Sequence, residues 1–171
     1  MRDFVQSMDD TLPGKFEITR EGIVHDLTVP TKQHELTVLR LRKRLEKVMP
    51  EELVAHTGEP DVMVIAEADM EGDGAFDPRT LVAAVEIVSR SNPENDWAGK
   101  IRDYPLLGIP VYAIFDPRTG SGAVFTDIHP TPAGPRYATR KDFVYGEEVT
   151  IAEWTIPTDG LPRYADDGTA Y

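Results

Sequence analysis

The sequence predicts an α/β protein: a mixed sheet flanked by helices, with an N-terminal hairpin and C-terminal antiparallel strands. Three observations carry that reading. Residues 81–88 and 109–115 are apolar runs of strand length, and apart from Glu86 they are apolar enough to be buried on both faces. A helical pattern lies between them. Strand, helix and strand thus fall within about thirty residues, the spacing of a crossover that pairs two strands in parallel. Shorter runs of alternating polarity stand on either side of this unit.

With 171 residues the chain can bury a core without staples, and one domain is the simplest organisation. The expected plan is a flexible lead-in over 1–14, a single domain over 15–156 and a loosely packed tail over 157–171, where Pro, Gly and Asp dominate. There is no cysteine, which excludes disulfides, thiolate zinc sites and cysteine nucleophiles. Residues 1–10 hold no apolar core of signal-peptide length, and no apolar run approaches the ~20 residues of a membrane span. A cytoplasmic address and no membrane partner are expected.

Thirty acidic residues against 18 basic ones give a net charge of −12, which argues against a general nucleic-acid coat protein. The charges are unevenly spread. Lys32, Arg40, Arg42, Lys43, Arg44 and Lys47 share one stretch with only Glu35 and Glu46, while acid gathers at 67–77 and at Asp166 and Asp167. The basic stretch reads either as a solvated helix face, the simpler case, or as a binding face.

Taken in order, residues 16–29 alternate around a turn at Glu21 and Gly22, which predicts a hairpin. A helix follows from about Lys32 to Met49, with Leu36, Val38, Leu39, Leu45 and Val48 on its apolar side, and Pro50 ends it. Residues 52–57 form a short strand, and Gly58 to Pro60 turn the chain into a strand over 61–66. Asp69, Glu71 and Asp73 before Gly74 faintly resemble a calcium loop. Its twelfth position is Thr80 rather than Glu, so a solvated connection is the better reading. Residues 79–88 are the central strand. After a Ser-, Asn- and Pro-rich loop, Asn95 or Asp96 caps a helix that Pro105 kinks or ends and Gly108 stops. Further strands are expected over 109–115, 121–128, 135–139 and 148–151.

The chemistry gathers where these strands end. Asp61 opens one apolar run and Glu86 sits near the end of another, sharing a face with Ala84 and Val88. An ionised carboxylate in such a strand needs a cation or donors. Lys100 lies one turn into the following helix. If the two strands are neighbours, Asp61 and Glu86 can ligate magnesium, with the Ile87 carbonyl as a further hard oxygen and Lys100 stabilising charge on a phosphate. Each residue also has a bland reading as a turn, strand-end or helix-surface group. His25, His34, His56 and His129 show no ligand spacing. Ser89 and Ser91 lack a partnering histidine, and Trp97, Tyr104 and Tyr112 occupy core-like positions.

A resemblance sharpens the picture. Pro60-Asp61-Val-Met-Val-Ile, Val85-Glu86-Ile-Val-Ser89 and Asp96-Trp-Ala-Gly-Lys100-Ile-Arg-Asp-Tyr104, continuing to Asp116, resemble the Uma-type putative restriction endonuclease family of the PD-(D/E)XK nuclease superfamily. Phe16-Glu17-Ile-Thr-Arg-Glu-Gly22 and His34 fit the same pattern, and the likeness spans about residues 15–150. It implies a restriction-endonuclease-like fold and metal-dependent hydrolysis of phosphodiesters. Asp61 and Glu86 would ligate Mg2+ or Mn2+, and Lys100 would be the catalytic lysine. DNA would be the substrate, with RNA left open, and the assembly a homodimer. Glu17 and His34 would lie near the site. One departure stands: Val88 occupies the superfamily's lysine position, so the lysine would come from the next helix. The alternative is a catalytically silent nucleic-acid- or protein-binding module on the same fold, and a purely structural dimerising domain also stays open.

Overall fold

The computed structural model describes residues 15–19, 22–26, 30–71, 74 and 76–164. The lead-in over 1–14, the acidic pair near the C-terminus, Glu21 of the expected turn and Asp73 of the calcium-like loop lie outside the described residues. The chain forms two compact units, 1–31 and 32–171. In the first unit β1 (Lys15–Thr19) and β2 (Gly22–Asp26) pair antiparallel, as the alternating pattern predicts.

The second unit begins with helix α1 (Lys32–Glu46). Its buried residues are His34, Thr37, Val38, Leu41 and Leu45, steps of three and four that draw one stripe along the helix. Leu36, Leu39 and Val48, expected on the apolar side, are exposed because they stand off that stripe.

Six strands then build one sheet: β3 (Leu53–Thr57), β4 (Val62–Ala66), β5 (Ala83–Ile87), β6 (Tyr112–Asp116), β7 (Ser121–His129) and β8 (Arg136–Val144). They lie side by side in sequence order. Only β5 and β6 are parallel, so the predicted crossover is present and the sheet is mixed. β5 starts later than expected, since Pro78–Thr80 forms a 3₁₀ turn capped by Asp77. Gly122 belongs in β7 for a steric reason: a Cβ there would come within 2.1 Å of the Ile114 carbonyl oxygen and 2.4 Å of the Phe143 ring. The 148–151 strand does not join this sheet. It forms β9 (Glu148–Ile151), which pairs with β10 (Trp154–Pro157) in a separate ribbon.

Alternation divides the core between the two faces. Val62, Val64, Val85, Ile87 and Phe115 pack with Val38, Leu41 and Leu45 of α1 on one face. Met63, Ala84, Val88, Tyr112, Ile114 and Phe125 pack with Trp97, Ile101 and Tyr104 on the other.

The last described residues are held rather than loose. Thr158, Leu161 and Tyr164 are buried. The Tyr164 hydroxyl donates to the Val88 carbonyl at 2.8 Å. Arg44 of α1 donates to the Pro157 and Asp159 carbonyls at 2.6 and 2.7 Å, and Arg40 donates to that of Gly160. Part of the basic stretch of α1 therefore clamps the returning chain.

At the end of β6, Asp116 accepts from the Arg118 backbone N–H and guanidinium and from the Trp97 indole. Burial alone would raise its pKa, but the Arg118 and Trp97 hydrogen bonds outweigh it and hold the carboxyl below the usual range. A lowered pKa contributes stability above the unfolded value of about 3.9, lost as pH falls through the folded value. Thermal melts should accordingly show wild type above Asp116→Asn by a constant margin from neutral pH to about pH 5, and a shrinking one below about pH 4.

Candidate active site

β4 stops one residue short of what β5 needs. Their ladder ends at Val62 and Val85, so the Ile87 N–H reaches an edge where β4 no longer runs. The Asp61 carboxylate fills that gap, its Oδ2 accepting from Ile87 N–H at 2.9 Å. Its Oδ1 lies 3.2 Å from Nε2 of His34, which α1 supplies from the first face. Glu86 meets Asp61 from the second face, with the Asp61 backbone N–H donating to Glu86 Oε2 at 3.4 Å. Asp61 thus joins the two layers at the sheet rim.

A helical segment crosses the second face: a π-helical stretch Asn95–Lys100, one α turn Ile101–Asp103 and a 3₁₀ turn Tyr104–Leu107. Gly108, at φ 80°, closes it. Asp96 is not its cap, since Glu94 before it is already helical. Asp96 is buried instead, its Oδ1 3.1 Å from Lys100 Nζ. Lys100 also contacts Glu86 Oε1 at 2.8 Å and Glu59 Oε1 at 3.8 Å. The Tyr104 hydroxyl donates to the same Glu86 Oε1 at 2.6 Å.

Charge is concentrated here, because Glu59, Glu86 and Asp96 surround one lysine and Asp61 adjoins Glu86. Glu86 is only 3 % exposed. Burial raises its pKa well above the carboxylate range; Lys100 opposes this, while Asp61 and Asp96 add to it. Burial works against the charge on Lys100, but Glu86 and Asp96 outweigh it and keep the ammonium protonated. The Tyr104 and Tyr112 phenols are pushed up by burial and by Glu86, so both remain donors.

The family model described as "Putative restriction endonuclease", Uma2, matches residues 2–158. The chain belongs to this family. A solved structure described as a putative nuclease belonging to DUF820 from Anabaena variabilis ATCC 29413 is similar to it, with 15% identity and a TM-score of 0.60. The likeness covers 85% of this chain and 87% of that one, and at this identity it speaks to the fold. No curated protein matches.

In the Uma2 chain the Asp61 backbone meets Glu86, and Lys100 contacts Glu86. Ile87 is beside them, with its N–H on Asp61 and its carbonyl on the same strand edge. His34 is there too, whereas the Glu17 side chain lies outside the described residues. Val88 is buried in the second core and brings no charge to the cluster. Hard oxygens around a surplus of negative charge suit a divalent cation of the magnesium type. Among the described residues no group of three or more Asp, Glu or His forms a ready-made cage. Magnesium does not need one, because it takes one or two carboxylates and keeps waters. The residues fit the ion.

Sequence reasoning passed over Tyr104 as a core aromatic and Asp96 as a cap. Asp96, Lys100 and Tyr104 recur every four residues, and that helical stripe was the available sign. Tyr104→Phe should cost about 1–2 kcal/mol in urea denaturation, since it takes a donor from a buried carboxylate.

Proposed function

We propose that this Uma2-family chain is a metal-dependent endonuclease that hydrolyses phosphodiester bonds, with DNA as substrate. The observation that carries the reading is the meeting of Asp61 with Glu86 at one rim, with Lys100 on Glu86. Asp61, Glu86 and the Ile87 carbonyl would hold Mg2+ or Mn2+, which when bound supplies an acidified water and neutralises phosphate charge. Lys100 would orient a water or offset the negative charge that builds on the phosphate. Asp96 and Tyr104 keep Lys100 and Glu86 in position, and His34 does the same for Asp61.

The family description supports a nucleic-acid substrate. A homodimer and a cytoplasmic address belong to the same reading, and light scattering on the full chain checks the first. The experiment that tests the function is cleavage of DNA and RNA, single- and double-stranded, with magnesium, with manganese and with chelator. Cutting of DNA that chelator abolishes supports it, and no cutting of any substrate with either metal sinks it.

Val88 at the superfamily's lysine position and the charge of −12 favour a second reading, a silent binding module. Calorimetric titration of magnesium into wild type and Glu86→Ala separates the two. A nuclease binds the metal and loses it in the variant, whereas a silent module need not bind it.

A further inference from the structure

A groove opens on the sheet face that carries Glu86, across the helical segment from the carboxylates. Trp97, Asp116, Thr119, Arg140, Asp142 and Phe143 line it, and its volume is about 530 Å³. That is the size of a small-molecule site. Strand register fixes its relation to the candidate active site. Glu86 pairs with Ile114, Ile114 with Ala123 and Ala123 with Asp142. Paired residues share a face, so Glu86 and Asp142 stand in one row, three strand spacings or roughly 14 Å apart. The π-helical stretch serves both places. Its Lys100 points to Glu86, and its Trp97 indole N–H donates to Asp116 Oδ2 at 3.1 Å.

Arg140 is the unusual wall. Its guanidinium carbon lies 5.4 Å from the Trp97 ring centre and 5.6 Å from that of Phe125. Two of its nitrogens donate to Asp142 Oδ1 at 2.9 and 2.7 Å. The side chain is nevertheless 52% exposed. Two rings and a carboxylate thus hold a flat cation at the edge of an open groove. A guanidinium plane is a stacking surface that any nucleobase can use. Charge decides which part of a nucleotide enters. Asp142 and Glu147 line the groove, so their charge repels phosphate and suits base amino groups, while the Asp116 carboxylate is already taken up by Arg118 and Trp97.

We propose that this groove is a nucleobase subsite. A base of the strand engaged at Glu86 and Lys100 stacks on Arg140, and its phosphates stay at the mouth. The inference rests on the nuclease reading and adds where the substrate strand lies.

The test uses the full chain carrying Trp154→Phe, which leaves Trp97 as the sole tryptophan. A labelled oligodeoxynucleotide, as single strand and as duplex, is titrated in chelator while Trp97 fluorescence and label anisotropy are followed. Cleavage is then measured with magnesium. Binding should change the Trp97 emission, and Arg140→Ala should weaken binding about tenfold or more, the effect of losing one stacked base. Arg140→Lys should weaken it nearly as much, because lysine keeps the charge and loses the plane. If Arg140→Lys binds as well as the parent, or Arg140→Ala leaves affinity and cleavage unchanged in a chain that binds and cuts DNA, the subsite is overturned and the nuclease reading survives. A parent chain that neither binds nor cuts overturns both.

Discussion

Cleavage by Glu86→Gln falls by roughly a thousandfold or more, and its melting temperature in metal-free buffer does not fall with it. The loss follows from taking a charged ligand from the position where the metal would sit, and the effect of single charge-stabilising groups sets the scale. The stability follows from the surroundings of the side chain. Glu86 is desolvated among Asp61, Asp96 and Glu59, and its raised pKa means that the fold resists its charge. An uncharged isostere removes that resistance, Tyr104 can still donate to its oxygen, and Lys100 retains Asp96. Asp61→Asn is the companion variant. Gel assays with magnesium and thermal melts on both proteins check the prediction, and near-normal cleavage by both variants would remove these residues from the chemistry.

Lys100→Met has the opposite character and costs roughly 3–5 kcal/mol of stability, the scale for removing one partner of a buried ion pair. The ammonium touches Glu86 at 2.8 Å and Asp96 at 3.1 Å, and its side chain is 12% exposed. Without it, three buried carboxylates face one another with no lysine between them. Combining Lys100→Met with Glu86→Gln should recover part of the loss, because the second change removes one of the stranded charges. Urea denaturation of the four proteins gives the coupling energy directly. Simple additivity would show that the pair is not coupled and that Lys100 is held by something else.

Much of the site was legible in the residues. A carboxylate inside an otherwise apolar strand requires a partner, so Glu86 marks the place. The crossover told which strands run parallel, and the family pattern tied Asp61 and Lys100 to the same end. The returning segment after Pro157 was not legible. Its composition predicts poor packing, yet Leu161 and Tyr164 are buried and Arg40 and Arg44 bind its carbonyls. Backbone acceptors carry no sequence signature, so a partner more than a hundred residues away is invisible in composition. The exposed Leu36 and Leu39 have a related cause, because helix period alone does not say which stripe meets the sheet.

The local elements, the parallel pair at the centre and the residues able to hold charge at a strand end are readable from the residues alone, because periodicity and burial cost act over a few positions. Tertiary packing alone places Asp61 in the gap beside Ile87, Tyr104 and Lys100 on one oxygen of Glu86, and Arg140 over the Trp97 ring. Those contacts depend on where β4 stops and on how a π-helical stretch turns its side chains. Both are set by long-range packing rather than by neighbours in the chain.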